Sequence, residues 1–383
     1  MKKYYLLAPG PTPMPPRVLQ AMTRPILHHR TKEFVALMKS VSTDLRWLFE
    51  TTSDVLVLNS TGTGGMEAAV TNFLSRGDKA IAVCGGKFGK RWAQIGKAYG
   101  VEMIEIEVPY GSAVDPATVA RLLDEHKDVR AVFTQGSETS TGVAHPIREI
   151  AALVRHRPDT LMVVDGVTSV GVMPQPMDEW GIDVLVSGSQ KAFMLPPGLA
   201  FIGVSAKAWS FAERSTLPKY YFNLTKERKT QGNGESAYTS AVSLVMGLRE
   251  SLNMMKEEGL PAIFRRHALL AQATREGLVA LGCELLAKTH PSAAVTAVYP
   301  PSGVAAGDVT STLNKTYNIT AAGGQDELKG KIFRIAHLGY AGRFDVVTAI
   351  SALEMVFKEL GHQFDSGIGV ATAHRVLEAG GDL

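Results

Sequence analysis

The sequence predicts an α/β fold in which a mostly parallel, seven-stranded sheet is followed by a smaller α+β domain. Short apolar runs, most of them rich in Val and Ile, alternate with helical patterns, as strands joined by crossover helices do. The chain has 383 residues, more than the roughly 250–300 at which a single core stops growing. The seven runs span residues 54–58, 79–84, 102–108, 130–134, 161–165, 183–187 and 199–204.

The beginning of the chain predicts an extended arm. Residues 8–16 contain five prolines, and proline fixes its own φ and restrains the residue before it. We therefore expect residues 1–22 to form an N-terminal arm that ends in a short helix.

A proline also predicts the domain boundary. Pro261 separates two long helical patterns, at 240–258 and 262–281, and would break a continuous helix. We expect the large domain over residues 23–258, the small C-terminal domain over 259–363, and over 364–383 a glycine-rich tail that is loose or docked on a partner.

The composition is ordinary for a soluble globular protein, with 45% hydrophobic and 20% charged residues. The formal charge of +3 comes with no basic run, so it gives no case for nucleic acid or a membrane surface. No apolar run has the length of a signal-peptide core or a membrane span. Cys84 and Cys283, the only cysteines, are far apart, which predicts reduced thiols, no metal site and a cytoplasmic location.

One lysine lies in a tight polar loop between two predicted strands. Residues 187–191 (SGSQK) follow one buried run, and residues 196–198 (PPG) lead into the next. A lysine in a partly desolvated site has a lowered pKa and can attack a carbonyl to form an imine. Lys191 is therefore a candidate nucleophile, although such a lysine taken alone is more often a solvated loop residue.

An aspartate ends the predicted strand at 161–165. Ligands of open α/β sheets bind outside the carboxyl ends of the strands, so Asp165 is placed to reach one. A carboxylate there could keep a pyridinium nitrogen protonated and make that ring an electron sink. The alternatives are a helix N-cap or a metal ligand.

A glycine-rich turn runs from a strand into a helix at residues 59–69 (NSTGTGGMEAA). Small residues let the backbone approach a phosphate, and the helix N-terminus offers N–H groups and a positive dipole. The turn is not a dinucleotide fingerprint, because Glu67 occupies the third glycine position, and residues 85–91 lack the spacing of a Walker loop. The alternative is a tight structural turn.

A late arginine interrupts an apolar strand pattern at 332–336. The rigid guanidinium of Arg334 matches a carboxylate in bidentate fashion and would suit an amino acid or oxo acid. The alternative is an internal ion pair. The neighbouring His337 is expected to be a satisfied polar residue rather than a base.

Together these segments resemble the class V aminotransferases of fold type I, above all the alanine–glyoxylate and serine–pyruvate group. The resemblance covers nearly the whole chain and is carried by the order and spacing of its motifs. They are PGPT at 9–12, HHRT at 28–31 with EF at 33–34, STGTG at 60–64, ETSTG at 138–142, VDG at 164–166, SGSQK at 187–191 with PPG at 196–198, and FRI at 333–335. The resemblance implies pyridoxal 5′-phosphate as cofactor and a homodimer with active sites at its interface.

The resemblance also implies a role for each matching residue. Lys191 would carry the cofactor and later move the substrate proton, Asp165 would pair with the pyridine nitrogen, and Arg334 would bind the substrate carboxylate. The other cofactor contacts would be Thr63, Gly64 and Gly65 to the phosphate, Gln190 assisting them, Ser140 near the ring hydroxyl, Phe88 stacked on the ring, and Thr239 reaching the neighbouring subunit's phosphate. Relatives often have Trp at the Phe88 position and Thr-Pro at 239–240, so stacking should be less extensive here and the cross-subunit contact is in doubt.

The implied reaction moves an amino group from alanine or serine to glyoxylate or pyruvate by a ping-pong mechanism, since nothing obvious supplies a second cationic clamp for a dicarboxylate. Phosphonate and ureidoglycine aminotransferases share most of these motifs and remain open alternatives. A cysteine desulfurase-like lyase is disfavoured because Gln190 precedes the lysine and Cys283 lies in a strand-like segment. A nicotinamide-dependent dehydrogenase is disfavoured because Glu67 replaces the third glycine of the dinucleotide-binding fingerprint. Retention of Asp165, Lys191 and Arg334 disfavours a non-catalytic subunit of a larger assembly.

Overall fold

The computed structural model of the chain describes residues 3–381, so residues 1, 2, 382 and 383 of the predicted arm and tail lie outside it. The helices are α1 (Pro16–Met22), α2 (Lys32–Leu48), α3 (Gly62–Phe73), α4 (Lys87–Ala98), α5 (Pro116–Glu125), α6 (Ile147–Arg155), α7 (Met177–Trp180), α8 (Ala206–Ala212), α9 (Leu224–Gln231), α10 (Val242–Glu258), α11 (Leu260–Ala280), α12 (Ala306–Tyr317), α13 (Arg343–Glu359) and α14 (Ile368–Ala379). The strands are β1 (Tyr5–Leu6), β2 (Asp54–Ser60), β3 (Lys79–Cys84), β4 (Glu102–Glu107), β5 (Val129–Gln135), β6 (Ser137–Glu138), β7 (Val143–Ala144), β8 (Leu161–Asp165), β9 (Val184–Gly188), β10 (Gly198–Val204), β11 (Glu284–Leu285), β12 (Val295–Tyr299), β13 (Ile319–Thr320), β14 (Ala322–Gly323) and β15 (Phe333–Ala336). Within residues 3–381, no helix has both the length and the apolar character that crossing a bilayer requires.

All seven predicted runs form strands of one sheet. Its order is β2-β10-β9-β8-β5-β3-β4, and β10 is antiparallel to both of its neighbours while the other pairings are parallel. The prediction of a mostly parallel, seven-stranded sheet is confirmed.

The two faces of this sheet are covered by separate apolar cores. Side chains alternate between the faces along a strand. Val55 and Val57 of β2 enter one core with α2, α5, α6 and α10, while Leu56 and Leu58 enter the other with α3, α4 and α8. Because both faces are buried, the strands read as nearly continuous apolar runs.

The N-terminal arm crosses the molecule instead of only leading to α1. β1 pairs in parallel with β13, and the Leu7 carbonyl accepts a hydrogen bond from the Ala336 N–H at 2.8 Å. The proline-rich residues that follow then run towards Lys191. A two-residue strand that pairs with a segment more than 300 residues away has no local sequence signal.

The C-terminal part contains a four-stranded antiparallel sheet of order β11-β12-β15-β14, with Arg334 on β15. Gly259, with φ of 81°, separates α10 from α11, and Pro261 lies in the first turn of α11. The predicted break between the two long helices is therefore confirmed. The division into domains at residue 258 stays a prediction.

The tail differs from the expectation, because it folds onto its own chain. Residues 368–379 form α14, and Ala373, Val376 and Leu377 are buried in a core shared with α11 and α13. Spacings of three and four residues put these side chains on one helix face. The glycines on either side of this helix made the segment read as an irregular tail in the sequence.

We predict that Glu354 holds α14 in place. Its carboxylate accepts N–H groups of Gly367 at 2.9 Å, Gly369 at 3.0 Å and Val370 at 3.1 Å. Glu354→Ala removes all three acceptors and should lower the free energy of unfolding by about 1–2 kcal/mol in urea denaturation. Glu354→Gln keeps one acceptor oxygen and should lose less. Equal stability of all three proteins would contradict this role.

Candidate active site

A cavity of about 110 Å³ lies at the carboxyl edge of the central sheet. β8 ends there at Asp165, β9 leads into the turn that carries Lys191, and β2 leads into the N-terminus of α3. The cavity is lined by Thr61, Gly62, Thr63, Met66, Phe88, Arg91, Thr139, Asp165, Val167, Thr168, Gln190 and Lys191. The topology thus brings together segments far apart in the sequence.

Lys191 is held against the N-terminal arm. Its Nζ donates a hydrogen bond to the Pro9 carbonyl, and its own carbonyl accepts the Thr12 hydroxyl at 2.8 Å. A side chain on Gly10 would collide with the lysine amine, and Gly10 has φ of 150°. The sequence analysis did not predict that the N-terminal arm packs against Lys191, because these contacts join residues about 180 positions apart.

Desolvation dominates the electrostatics of Lys191. Burial lowers the pKa of its amine from 10.5 to about 8. The charge of Asp165 opposes this shift in pKa, while the guanidinium groups of Arg334 and Arg91 add to it. Roughly a tenth of the amine is therefore unprotonated, and nucleophilic, at pH 7, far more than for an ordinary lysine.

Asp165 is only 5% exposed and accepts the Val167 N–H at 2.8 Å. Burial raises the pKa of this carboxyl from 3.8 to about 6; the Val167 hydrogen bond opposes the shift and the nearby Glu138 adds to it. A cation brought against Asp165 would favour its ionised form.

The glycine-rich turn forms the N-terminal end of α3, as the strand-to-helix pattern predicts. Thr63 lines the cavity, and its Oγ1 accepts a hydrogen bond from Arg91 at 2.9 Å. A Cβ on Gly65 would lie 2.7 Å from Val186, and one on Gly64 would collide with Ser60. Only glycine therefore lets this first turn approach the sheet. The Gly65 N–H donates to the Thr61 carbonyl at 3.0 Å, so the backbone N–H groups placed for a ligand are those that precede it.

Phe88 lines the cavity from the first turn of α4, and Glu138 anchors that turn. The buried Glu138 carboxylate accepts the N–H groups of Phe88 at 3.1 Å and Gly89 at 2.9 Å. Ser140 donates its hydroxyl to Glu138 and accepts the Lys87 N–H at 3.0 Å. Burial raises the pKa of Glu138, and these hydrogen bonds oppose that rise. Glu138 belongs to the ETSTG motif at 138–142, but the sequence analysis did not predict that it anchors the first turn of α4.

Five of the predicted site residues do not line the cavity: Gly64, Gly65, Ser140, Thr239 and Arg334. Ser140 is not among the cavity-lining residues, and the neighbouring Thr139 lines the wall instead. Thr239 is exposed, and its carbonyl accepts the Asn59 side chain at 2.6 Å, just before the glycine-rich turn.

The unpaired side-chain oxygen of Gln190 indicates that the cavity binds a ligand. It lines the cavity beside Lys191, and its Oε1 is buried without a hydrogen-bond partner among residues 3–381. A buried acceptor left unpaired costs about 1–3 kcal/mol, so such an atom is typical of a site that binds a donor.

Arg334 reaches from β15 to the cavity wall. Its guanidinium donates to the Gly323 carbonyl at 3.0 and 2.8 Å and to the Thr139 carbonyl at 2.9 Å. Burial lowers the pKa of Arg334 to about 10, and the charge of Glu138 opposes the shift, so the group stays cationic at neutral pH. Three of its five N–H donors are used, which leaves two for an anionic ligand.

His337 and the cysteines have structural environments. His337 bonds Thr296 and the Ala293 carbonyl at 2.9 Å each, and burial lowers its pKa to about 3, so it is a satisfied neutral residue. Burial raises the pKa of both Cys84 and Cys283, which leaves neither as a reactive thiolate.

Cys84 also lies near two carboxylates. Ligand atoms of Cys84, Glu105 and Glu107 lie within 4.8 Å of one another. Cys84 donates its thiol to Glu105, and Glu105 pairs with Lys97. These bonds give Cys84 and Glu105 partners without an ion, and the absence of a metal site stays a prediction.

Arg91 is the cavity-lining cation that sequence reasoning missed. It stands three residues after Phe88 on α4, with its guanidinium carbon 4.9 Å from the centre of the Phe88 ring. A spacing of three residues places both on one helix face. This spacing could be read from the sequence. It does not show whether the flexible end of the arginine side chain points into the cavity or into solvent.

Comparison with known proteins gives a consistent family. The profile described as aminotransferase class-V matches residues 4–335. A soluble hydrogenase small subunit from Synechococcus sp. is 46% identical, over 98% of each chain. The L-aspartate–glyoxylate aminotransferase of Paracoccus denitrificans is 36% identical over 96% of this chain and 94% of its own, and the serine–glyoxylate aminotransferase of Methylorubrum extorquens is 35% identical over 97% and 96%. The crystal structure of ureidoglycine–glyoxylate aminotransferase from Bacillus subtilis superimposes with a TM-score of 0.94 at 28% identity, over 99% of each chain.

We predict that the buried Asp165 carboxylate destabilises the ligand-free protein. Its folded pKa of about 6 exceeds the ordinary 3.8, so the stability that this group contributes at low pH is lost as the pH rises through about 6. Asp165→Asn should raise the free energy of unfolding by roughly 1–3 kcal/mol near pH 8.

The gain should shrink as the pH falls from about 6 and should vanish below the ordinary pKa of 3.8, where the wild-type group is protonated in both states. Urea denaturation over this pH range measures it. The control is Asp365→Asn, at an exposed position, which should show no such pH-dependent gain. A pH-independent effect of Asp165→Asn would contradict the prediction.

Proposed function

The chain belongs to the class-V aminotransferase family, and we propose that it transfers an amino group from alanine or serine to glyoxylate or pyruvate with pyridoxal 5′-phosphate as cofactor. The observation that carries this proposal is the meeting of Lys191, Asp165 and a glycine-rich helix N-terminus in one cavity. A ping-pong mechanism follows from the two half-reactions of a transaminase.

The residues present fit the cofactor. An amine of lowered pKa, a buried carboxylate, the N-terminus of α3 and an unpaired Gln190 oxygen surround the cavity. When bound, pyridoxal phosphate supplies an aldehyde that condenses with amines and a protonated ring that withdraws electrons from the substrate Cα.

We assign the proton transfers to Lys191. With a pKa of about 8, its amine would hold the cofactor covalently and, when free, would accept the proton of the substrate Cα and donate it at C4′ of the cofactor. The Pro9 carbonyl gives the freed amine a fixed resting contact.

Asp165 would hold the proton on the ring nitrogen, because its carboxylate is desolvated and, among residues 3–381, has no cation in direct hydrogen bond. Phe88 would stack on the ring. Thr63, Gly64 and Gly65 would bind the phosphate, Gln190 would assist them, and Ser140 would act near the ring hydroxyl, through the Glu138 network that fixes α4.

Arg334 would bind the substrate carboxylate with its two remaining N–H donors. Arg91, the other guanidinium at this site, donates a hydrogen bond to Thr63 of the glycine-rich turn. It is therefore not assigned to the substrate that Arg334 would bind. This arrangement supports a donor with one carboxylate and a small side chain. The relatives named above differ in donor, aspartate in one and serine in another.

We further propose a cytoplasmic homodimer with active sites at its interface. The exposed Thr239 would reach the neighbouring subunit's phosphate. Tyr220, 80% exposed, and Tyr221 lie against Tyr238 beside it, with ring centres 6.0 and 4.9 Å apart, and exposed aromatic clusters are typical of interfaces. The free thiols of Cys84 and Cys283 support a reducing compartment.

A role as a hydrogenase subunit is a second candidate, favoured by the names of relatives such as the Synechococcus protein. Iron–sulfur clusters take four thiolate ligands, whereas this chain has two cysteines, which lie in different apolar cores. A hydrogenase role would therefore be that of an accompanying subunit. It would not explain a buried Lys191 and Asp165 in one cavity.

The proposed function is tested by a matrix of donors and acceptors. Purified protein supplied with cofactor is assayed with alanine, serine, aspartate and aminoethylphosphonate against glyoxylate and pyruvate. We expect the highest turnover with alanine or serine and glyoxylate. Preference for aspartate or the phosphonate would overturn the donor assignment. No transamination with a bound cofactor would favour the accompanying-subunit role.

Arg334 is tested by two substitutions. Arg334→Ala should raise KM for the amino acid by about 10- to 100-fold, because a charge-assisted bond contributes about 1.5–3 kcal/mol. Arg334→Lys keeps the charge but loses the fork and should lie between. Cofactor absorbance, measured in parallel, should be retained in both. Unchanged steady-state kinetics in the alanine variant would remove Arg334 from the site.

A further inference from the structure

We propose that Arg91 binds the phosphate group of the cofactor and couples it to the stacking residue Phe88. The inference rests on the cofactor proposed above and assigns a residue that the sequence motifs do not mark.

The contacts of Arg91 point to the glycine-rich turn. Its NH1 donates to Thr63 Oγ1 at 2.9 Å, and Thr63 is the second residue of α3. The guanidinium therefore stands at the end of the helix where backbone N–H groups and the dipole attract an anion. One of its five donors is used there, which leaves a fork for phosphate oxygens.

The charge balance of the cavity also needs a cation at this place. A phosphate monoester carries about −1.5 to −2 charges near neutral pH, whereas a helix N-terminus offers only about +0.5. Residues 59–65 (NSTGTGG) contain no charged side chain. Of the cavity-lining residues, Arg91 and Lys191 are the basic ones, and Lys191 is committed to the aldehyde. Arg334 is not among the lining residues, and its two remaining donors are assigned to the substrate carboxylate.

Arg91 also connects two parts of the site. Its guanidinium carbon lies 4.9 Å from the centre of the Phe88 ring, within the range of a cation–π contact. A phosphate fixed by Arg91 would thus be held at a defined distance from the ring on which the cofactor stacks. The rival ligand is the second carboxylate of a dicarboxylic donor. The Thr63 contact favours the phosphate.

The test compares two forms of the vitamin on the cofactor-free enzyme. Dissociation constants for pyridoxal phosphate and for pyridoxal, which lacks the phosphate, are measured by absorbance titration of wild type, Arg91→Ala, Arg91→Gln and Arg91→Lys. We expect Arg91→Ala to weaken pyridoxal phosphate about 10- to 100-fold and pyridoxal less than about threefold. Arg91→Gln removes the charge, whereas Arg91→Lys keeps it, so the lysine variant should bind pyridoxal phosphate more tightly than the glutamine variant.

The matched control is Lys97→Ala, which removes a positive charge from the same helix at an exposed position paired with Glu105. It should leave both constants unchanged. Equal weakening of both vitamers by Arg91→Ala would show that Arg91 only shapes the cavity. Unchanged vitamer binding with a selective rise in KM for aspartate would assign Arg91 to the donor. If the wild type binds neither vitamer, the proposed function itself fails.

Discussion

The desolvation of one amine, that of Lys191, is the constraint on which the rest of the site depends. The lysine follows a strand buried on both faces, and the N-terminal arm closes over it through Pro9 and Thr12. Water is kept from the amine, so its pKa falls to about 8. A solvated lysine would be almost fully protonated near neutral pH and would make a poor nucleophile.

In the same desolvated cavity, acidic and cationic side chains lie close enough to shift one another's pKa values. Asp165 and Glu138 are buried carboxylates, and burial raises the pKa of each. Arg334 and Arg91 lower the pKa of Lys191, whereas Asp165 raises it. Glu138 also holds the first turn of α4 through two backbone N–H groups. Buried charge is unfavourable for folding, and it is retained here at a site that can use it for binding and proton transfer.

The sequence predicted what depends on local patterns and left out what depends on long-range contacts. All seven strands were visible, because a sheet buried on both faces leaves apolar runs that turn residues bound. Lys191, Asp165 and Phe88 meet in the cavity because the carboxyl ends of the strands share one edge. The arm against Lys191, the packing of α14 and the direction of Arg91 had no local signal. The hydroxyl of Ser140 donates to Glu138, a contact without a local signal, and its role near the ring hydroxyl stays a prediction.

The proposed function depends above all on Lys191 as the residue that binds the cofactor covalently. Borohydride reduction of the cofactor-loaded enzyme, followed by proteolysis and mass spectrometry of the labelled peptide, tests this. We expect one modified peptide, with a pyridoxyl phosphate group on Lys191. A label on another lysine, or no label on a protein that retains the cofactor, would contradict it.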